Sequence, residues 1–195
     1  AVYEISDNQE QSANVNILTH LIHGRVLELM SRGAAVASAV SQAQLEWVDN
    51  LGGVVSTELN QAFSQLNLFE TSQDNNTPGN DYLLFTSAIF YQYATNLSSG
   101  DNLEAKLAEL LNTTAVDFKS DGQINNELLF DQLILAATNV DFESIKSNLE
   151  QLSRGISGSV LPVADFSNFL SQVLILTPAD DSLLSEAIDI KFSTP

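Results

Sequence analysis

In several segments between Val15 and Leu152 apolar side chains return every three or four residues, and this repeat constrains the fold more than any other property of the chain. An α-helix turns once in about 3.6 residues, so such spacing gathers the apolar groups into a stripe that must be buried against another element. The first run is Ile17, Leu18, Leu21, Ile22, Val26, Leu29 and Met30, with Asn14 or Asn16 able to cap it and Gly33 to end it. A second helix is expected from Ala34 to Leu51, with Val36, Val40, Leu45 and Val48 inward, Trp47 at its edge and Gly52-Gly53 as the stop. Ser56, Leu59, Phe63 and Leu66 suggest a short third helix.

Glu70 to Asp81 is polar, contains Pro78-Gly79 and reads as the main internal loop, after which Asn80 or Asp81 caps a helix reaching Leu97. Leu84, Phe85, Ala88, Ile89 and Tyr93 can face inward there. Asp101 or Asn102 opens another helix, with Leu103, Leu107, Leu110 and Leu111 in register as far as Phe118. Two more run from Asn125 to Thr138, burying Leu128, Leu129, Leu133 and Leu135 or Ile134, and from Asp141 through Ile145, Leu149 and Leu152 to a stop at Gly155 and Gly158. A short helical piece with Phe166, Phe169 and Leu170 follows Pro162.

The expected class is therefore mainly α, a multi-helix bundle of about seven helices, with the helical domain spanning 13–171. Val2 to Ile5, Val173 to Ile175 and Ile188 to Phe192 look strand-like, so short β strands are expected in the terminal segments 1–12 and 172–195. The first of these reads as the remnant of a preceding β domain, in a chain cut from a longer protein or in one with a natural mature start.

Charge narrows the partners. Seven Lys and Arg stand against 25 Asp and Glu, a net charge of −18 that opposes contact with phosphate backbones and anionic bilayers. Nucleic acid is not an expected partner, and no run reaches the roughly 18 apolar residues of a membrane span. Only 16% of residues are charged, so surface polarity must come largely from Asn, Gln, Ser and Thr, a mix common on exported proteins. With no cysteine there is no disulfide, thiolate nucleophile or thiolate-bound metal.

Four places resemble chemistry. His20 and His23 are three apart, share a helix face and could hold a metal if Glu28 or Glu46 converged on them, although His20-Leu21-Ile22-His23 lacks the glutamate of H-E-x-x-H. Asp117 to Leu128 partly mimics a calcium loop, with Asp117, Asp121 and Gly122 at the first, fifth and sixth positions. Lys119 at the third and Leu128 at the twelfth spoil it, so a helix-to-helix turn with Asn125 as cap is favoured. Gly155-Ile156-Ser157-Gly158-Ser159 misses the last glycine of a nucleophile elbow and has no strand before it. Among the aromatics, Tyr82 and Tyr91 are the candidates for stacking on a sugar, while pairs such as Glu46 and Asp49 read as solvated helix charges.

The run from Asn14 to Gly52 carries Leu18-Thr19-His20-Leu21, an arginine, Arg25, six residues beyond that threonine, and a second helix ending near glycine. It resembles the helical domains of bacterial surface lipoproteins, which occur next to immunoglobulin-like, carboxypeptidase regulatory-like β domains. The resemblance implies an extracytoplasmic location, periplasmic or at the cell surface, with lipid anchoring through a segment outside this chain. It supplies no catalytic residue. A buried Arg25 paired with a carboxylate is expected to be structural. The expectation is a non-enzymatic binding or adhesion-type module for a glycan, a peptide or a neighbouring domain, without a cofactor and with its oligomeric state open. The alternatives are a metal-binding protein or metal-dependent hydrolase using His20 and His23, and a structural spacer or oligomerisation module.

Overall fold

The computed structural model describes residues 14–52, 61–68, 78–98 and 102–157. Among them are six α-helices: α1 (Ile17–Ser31), α2 (Val36–Gly52), α3 (Pro78–Ser98), α4 (Leu103–Lys119), α5 (Glu127–Asn139) and α6 (Phe142–Ser157), with a 3-10 turn at Phe63–Gln65. The chain is mainly helical as expected, six helices and one turn standing where about seven helices were anticipated. The strand-like terminal segments, Leu59 and the piece after Pro162 lie outside the described residues.

α1 starts where its sequence says it should. The Asn16 side chain accepts from the Thr19 N–H at 3.0 Å, and the Thr19 hydroxyl accepts from the Asn16 N–H at 2.9 Å, a reciprocal capping box. Leu18, Leu21, Ile22, Val26 and Leu29 form its buried stripe. The helix packs against α2, α3, α4 and the 3-10 turn.

α3 is the central element, in contact with α1, α4 and α5. Every residue from Gly79 to Thr86 is buried, so this helix has no solvent face along its first two turns. It begins at Pro78, which suits the first helical position because proline lacks only an N–H that would have no intrahelical partner. Pro78-Gly79 therefore opens the helix instead of forming a turn before it, and Asn80 and Asp81 sit inside its first turn instead of capping it. Asn80 has a tertiary bond there, its side-chain oxygen accepting from the Asn67 N–H at 3.0 Å.

α2 corrects the sequence reading in its rotation about its own axis. Ala39, Ala43 and Trp47, spaced by four, are all fully buried, whereas Leu45 is 52% exposed. The two alanines bring the α2 backbone close to its neighbours, and that approach seats the indole of Trp47 in the core. Its ring meets Phe118 of α4 edge-on at 5.2 Å and lies 6.4 Å from Phe90 of α3, so one side chain joins three helices.

α5 is turned likewise, burying Leu129, Leu133, Ala136 and Ala137 and leaving Leu128 exposed. Its cap is Asn126, whose side chain accepts from the Leu129 N–H at 3.1 Å, one residue after the expected Asn125. On α6, Phe142 stacks on Phe85 with centroids 6.2 Å apart, and the helix continues through Gly155 to Ser157.

A polar latch fastens α1 and α2 to the turn after α4. Arg25 of α1 is 4% exposed and donates two parallel bonds to Glu46 of α2, at 2.7 and 2.9 Å. Its third nitrogen donates to the Ser120 carbonyl at 2.8 Å. Asn50 donates to the Gly122 carbonyl and accepts from the Ile124 N–H, both at 2.8 Å. Gly122 has φ +81°, and a Cβ there would land on the Glu46 carboxylate, so both conformation and space require glycine. Glu46, read from sequence as a solvated charge, is thus the bidentate partner of a buried guanidinium.

Candidate functional site

The capping box fixes where α1 begins and hence which residues it turns toward α4. His20 and His23, one turn apart and both exposed, lie on that side. Opposite them α4 presents Asn112, Val116 and Lys119 at intervals of four and three. Gly24 lets the helices approach: the Lys119 stem lies 3.4 Å from where a Cβ on Gly24 would be. Between the helices is a cleft of about 300 Å³. Ala115 forms part of its apolar lining, and Val15 and Val116, 80% and 72% exposed, form its rims.

Thr19, which also lines this cleft, spends its hydroxyl on the α1 cap, but the other polar side chains are unspent. Neither imidazole, nor the Asn112 amide, nor the Lys119 ammonium makes a hydrogen bond or ion pair with the described residues. Partial burial, with nearby positive charge including His20 adding to it, holds the His23 imidazole below its ordinary value. The imidazole of His23 therefore enters the neutral pH range as a hydrogen-bonding group more often uncharged than a free histidine.

As a metal pair, His20 and His23 lack a third ligand. Of the two carboxylates that would have to converge on them, Glu28 is held by Arg32 at 2.9 Å and Glu46 by Arg25. Among the described residues no group of three or more His, Asp or Glu is placed to hold a metal ion. The charged group actually facing the imidazoles is the ammonium of Lys119, which repels a cation.

Asp117 and Asp121 do not form a calcium shell. The Asp117 carboxylate accepts from the Asn126 N–H at 3.0 Å, and Asp121 accepts from the Gln123 N–H at 3.1 Å and from the Asn125 amide. Those bonds, the Asn125 side chain first and the Gln123 backbone next, hold the Asp121 carboxyl below the usual carboxylate range. Two guanidiniums, from Arg25 and Arg32, converge on the Ser120 carbonyl at 2.8 and 3.1 Å, so positive charge already occupies the inner side of this turn.

Tyr82 is 1% exposed, packs its ring against Phe63 at 6.2 Å and presents no face to a sugar. Burial pushes its phenol well above the ordinary value, an effect that neighbouring Thr86 and Trp47 only partly offset. Tyr91 is half exposed on α3 and remains available. Gly155 to Ser157 continue α6, which is not the strand-to-helix elbow a serine nucleophile needs.

A second cleft, of about 340 Å³, lies where α1 begins, with Asn14, Asn16, Asn67 and Ser87 among its lining. Two of its polar side chains serve the fold. Asn16 donates to the carbonyls of Phe63 and Leu66 besides capping α1, and the Ser87 hydroxyl donates to the Leu83 carbonyl at 2.7 Å.

Sequence reasoning found His20 and His23 but missed their partners across the cleft. Lys119 drew notice only for spoiling a calcium loop. The signal was present in α4, where Asn112, Val116 and Lys119 keep helical spacing on a side that its leucines do not use. Thr19 and Arg25, which carry the resemblance to surface-lipoprotein domains, have structural tasks in the capping box and the latch. Compared with known proteins, the chain matches no protein-family model, no curated protein and no solved structure.

Proposed function

We propose that this chain is a non-enzymatic, extracytoplasmic binding module of a bacterial surface protein, and that it meets its ligand in the cleft between α1 and α4. The observation that carries this reading is the contrast between the two clefts. In the cleft where α1 begins the Asn16 and Ser87 side chains are consumed by the fold, whereas His20, His23, Asn112 and Lys119 line an open cleft with their hydrogen-bonding capacity intact. A few convergent polar groups over an apolar lining is the usual composition of a small-ligand site.

The extracytoplasmic location rests on the resemblance of residues 14–52 to surface-lipoprotein domains and on a surface made polar by amides and hydroxyls. No helix among the described residues is long and apolar enough to cross a membrane. Screening the purified chain against cell-wall and host glycans, peptides and a small-molecule panel tests the proposal. The expected result is a ligand whose binding disappears in Asn112→Trp, which plugs the cleft from an exposed position. Silence across the whole screen, or binding that survives the plug, overturns it; silence favours a spacer role.

A further inference from the structure

We propose that the α1–α4 cleft takes a small, singly charged carboxylate with an apolar body, its charge met by Lys119 and the imidazoles of His20 and His23. This rests on the reading that the cleft is the ligand site, and it names the ligand's chemistry.

The sign of the charge comes from what lines the cleft. Four nitrogen-bearing side chains converge there, His20, His23, Asn112 and Lys119, and no carboxylate does. That is uncommon company on a chain with 25 acidic residues and seven Lys and Arg. The other basic groups near this end of α1 are already committed, Arg25 to Glu46 and Ser120, Arg32 to Glu28 and Ser120. Lys119 has no such partner among the described residues, and its stem is held across Gly24 with the ammonium at the cleft.

The size and class of the anion follow from what else is there. Val15, Ala115 and Val116 offer apolar surface that a bare inorganic ion would leave wet, and a cleft of about 300 Å³ suits a ligand carrying a short hydrocarbon body. Phosphate recognition usually recruits guanidinium forks or helix N-terminal N–H groups. The cleft has neither: its charged groups are point donors, and although it reaches the first turn of α1, the Thr19 N–H there is already taken by the Asn16 side chain. A polyanion would also meet the net charge of −18 at long range, which a single charge feels least.

Binding should strengthen as the imidazoles gain protons. Facing His20 and His23 from α4 are Lys119 and the neutral Asn112; beside His23, α2 contributes the neutral Gln44, and the 3-10 turn contributes Phe63 and Ser64. No carboxylate lines either side, so protonation adds positive charge that nothing local cancels.

The test is a nitrogen-15 NMR titration of the full chain with hexanoate, hexanol and inorganic phosphate. Hexanoate is expected to shift resonances around Gly24, Ala115 and Lys119 and to bind about tenfold more tightly than hexanol, the worth of one charge-assisted contact. Affinity should rise as pH falls through and below the ordinary histidine range while hexanoate stays ionised, and His23→Gln should flatten that rise. Lys119→Met, which keeps the stem, should weaken binding about tenfold while leaving the thermal midpoint unchanged.

Equal binding of hexanol, phosphate binding as well as hexanoate, shifts confined to other surfaces, or affinity unaltered in Lys119→Met would each overturn the proposal. If hexanoate fails while another ligand from the broader screen is blocked by Asn112→Trp, the carboxylate assignment falls and the binding-module reading stands. If nothing engages the cleft, both fall.

Discussion

Arg25 and Glu46 show how much of the molecule one pair of side chains can organise. Removing one member leaves the other charged, buried and uncompensated, so Glu46→Gln is expected to cost about 3 to 5 kcal/mol in urea unfolding. Replacing both, Arg25→Met with Glu46→Leu, should recover most of that loss; if the double variant is as unstable as the single one, the pair is not a unit. Burial alone would raise the Glu46 carboxyl, but hydrogen bonds from Arg25 and Gln42 and the guanidinium charge outweigh it and hold the group below 4.5. Its stabilisation is therefore complete above the ordinary carboxylate range and is lost as pH falls on through the lowered value of the folded state. Acid titration of stability should show a falling limb there that Glu46→Gln lacks. Gly122→Ala is expected to cost about 2 kcal/mol or more, since it forces alanine into a left-handed conformation against the Glu46 carboxylate. A structural Arg25 was legible in the sequence, but its partner was not. Glu46 lies 21 residues away on another helix, and only the crossing of α1 and α2 distinguishes it from a solvated charge.

At the scale of the helix, spacing located the six helices among the described residues and misjudged the rotation of two. Counting hydrophobicity favours Leu45 and Leu128 as inward residues, yet both are exposed, and the stripes actually buried run through Ala39, Ala43 and Trp47 and through Leu129, Leu133, Ala136 and Ala137. Alanine scores poorly as an apolar residue but permits the closest backbone approach, and that geometry is invisible in a one-dimensional pattern. Trp47→Ala should cost about 3 to 5 kcal/mol, whereas Leu45→Gln and Leu128→Gln should each stay within about 0.5 kcal/mol. Urea denaturation of the three variants decides whether the rotation is right. The chain has one tryptophan, so its fluorescence in the native state should be that of an indole shielded from water, moving to the red on unfolding. The start of α3 was misread for a related reason. Polar Asn80 and Asp81 resemble caps, and their burial follows from the depth at which the first two turns of the helix sit.

For the molecule as a whole, the excess of acidic residues works against compactness, because folding brings like charges together. Raising the salt concentration to about 0.5 M shrinks the screening length below about 5 Å and should lift the thermal midpoint by several degrees. The exposed pairs Lys106 with Glu109 and Arg32 with Glu28 are weakened by the same salt, but such pairs contribute little. A midpoint that stays flat or falls would show that self-repulsion is not a significant load on this fold. The bundle was readable in advance because helical periodicity is local. The cleft was only half readable, because Lys119 and the two histidines meet only once α4 has docked on α1. The Arg25 bond to the Ser120 carbonyl spans 95 residues, and this separation orders events during synthesis. As the chain leaves the ribosome, α1 and α2 emerge long before that carbonyl exists. Their ion pair can form early, but it forms in water. It is sealed from solvent only when the 120–124 turn arrives, and Phe118, two residues ahead of Ser120, brings the ring that packs on Trp47. The dehydration of a charge pair and the gain from closing the core thus fall in the same late step, so an N-terminal fragment ending before α4 is expected to leave the Arg25–Glu46 pair and Trp47 open to water.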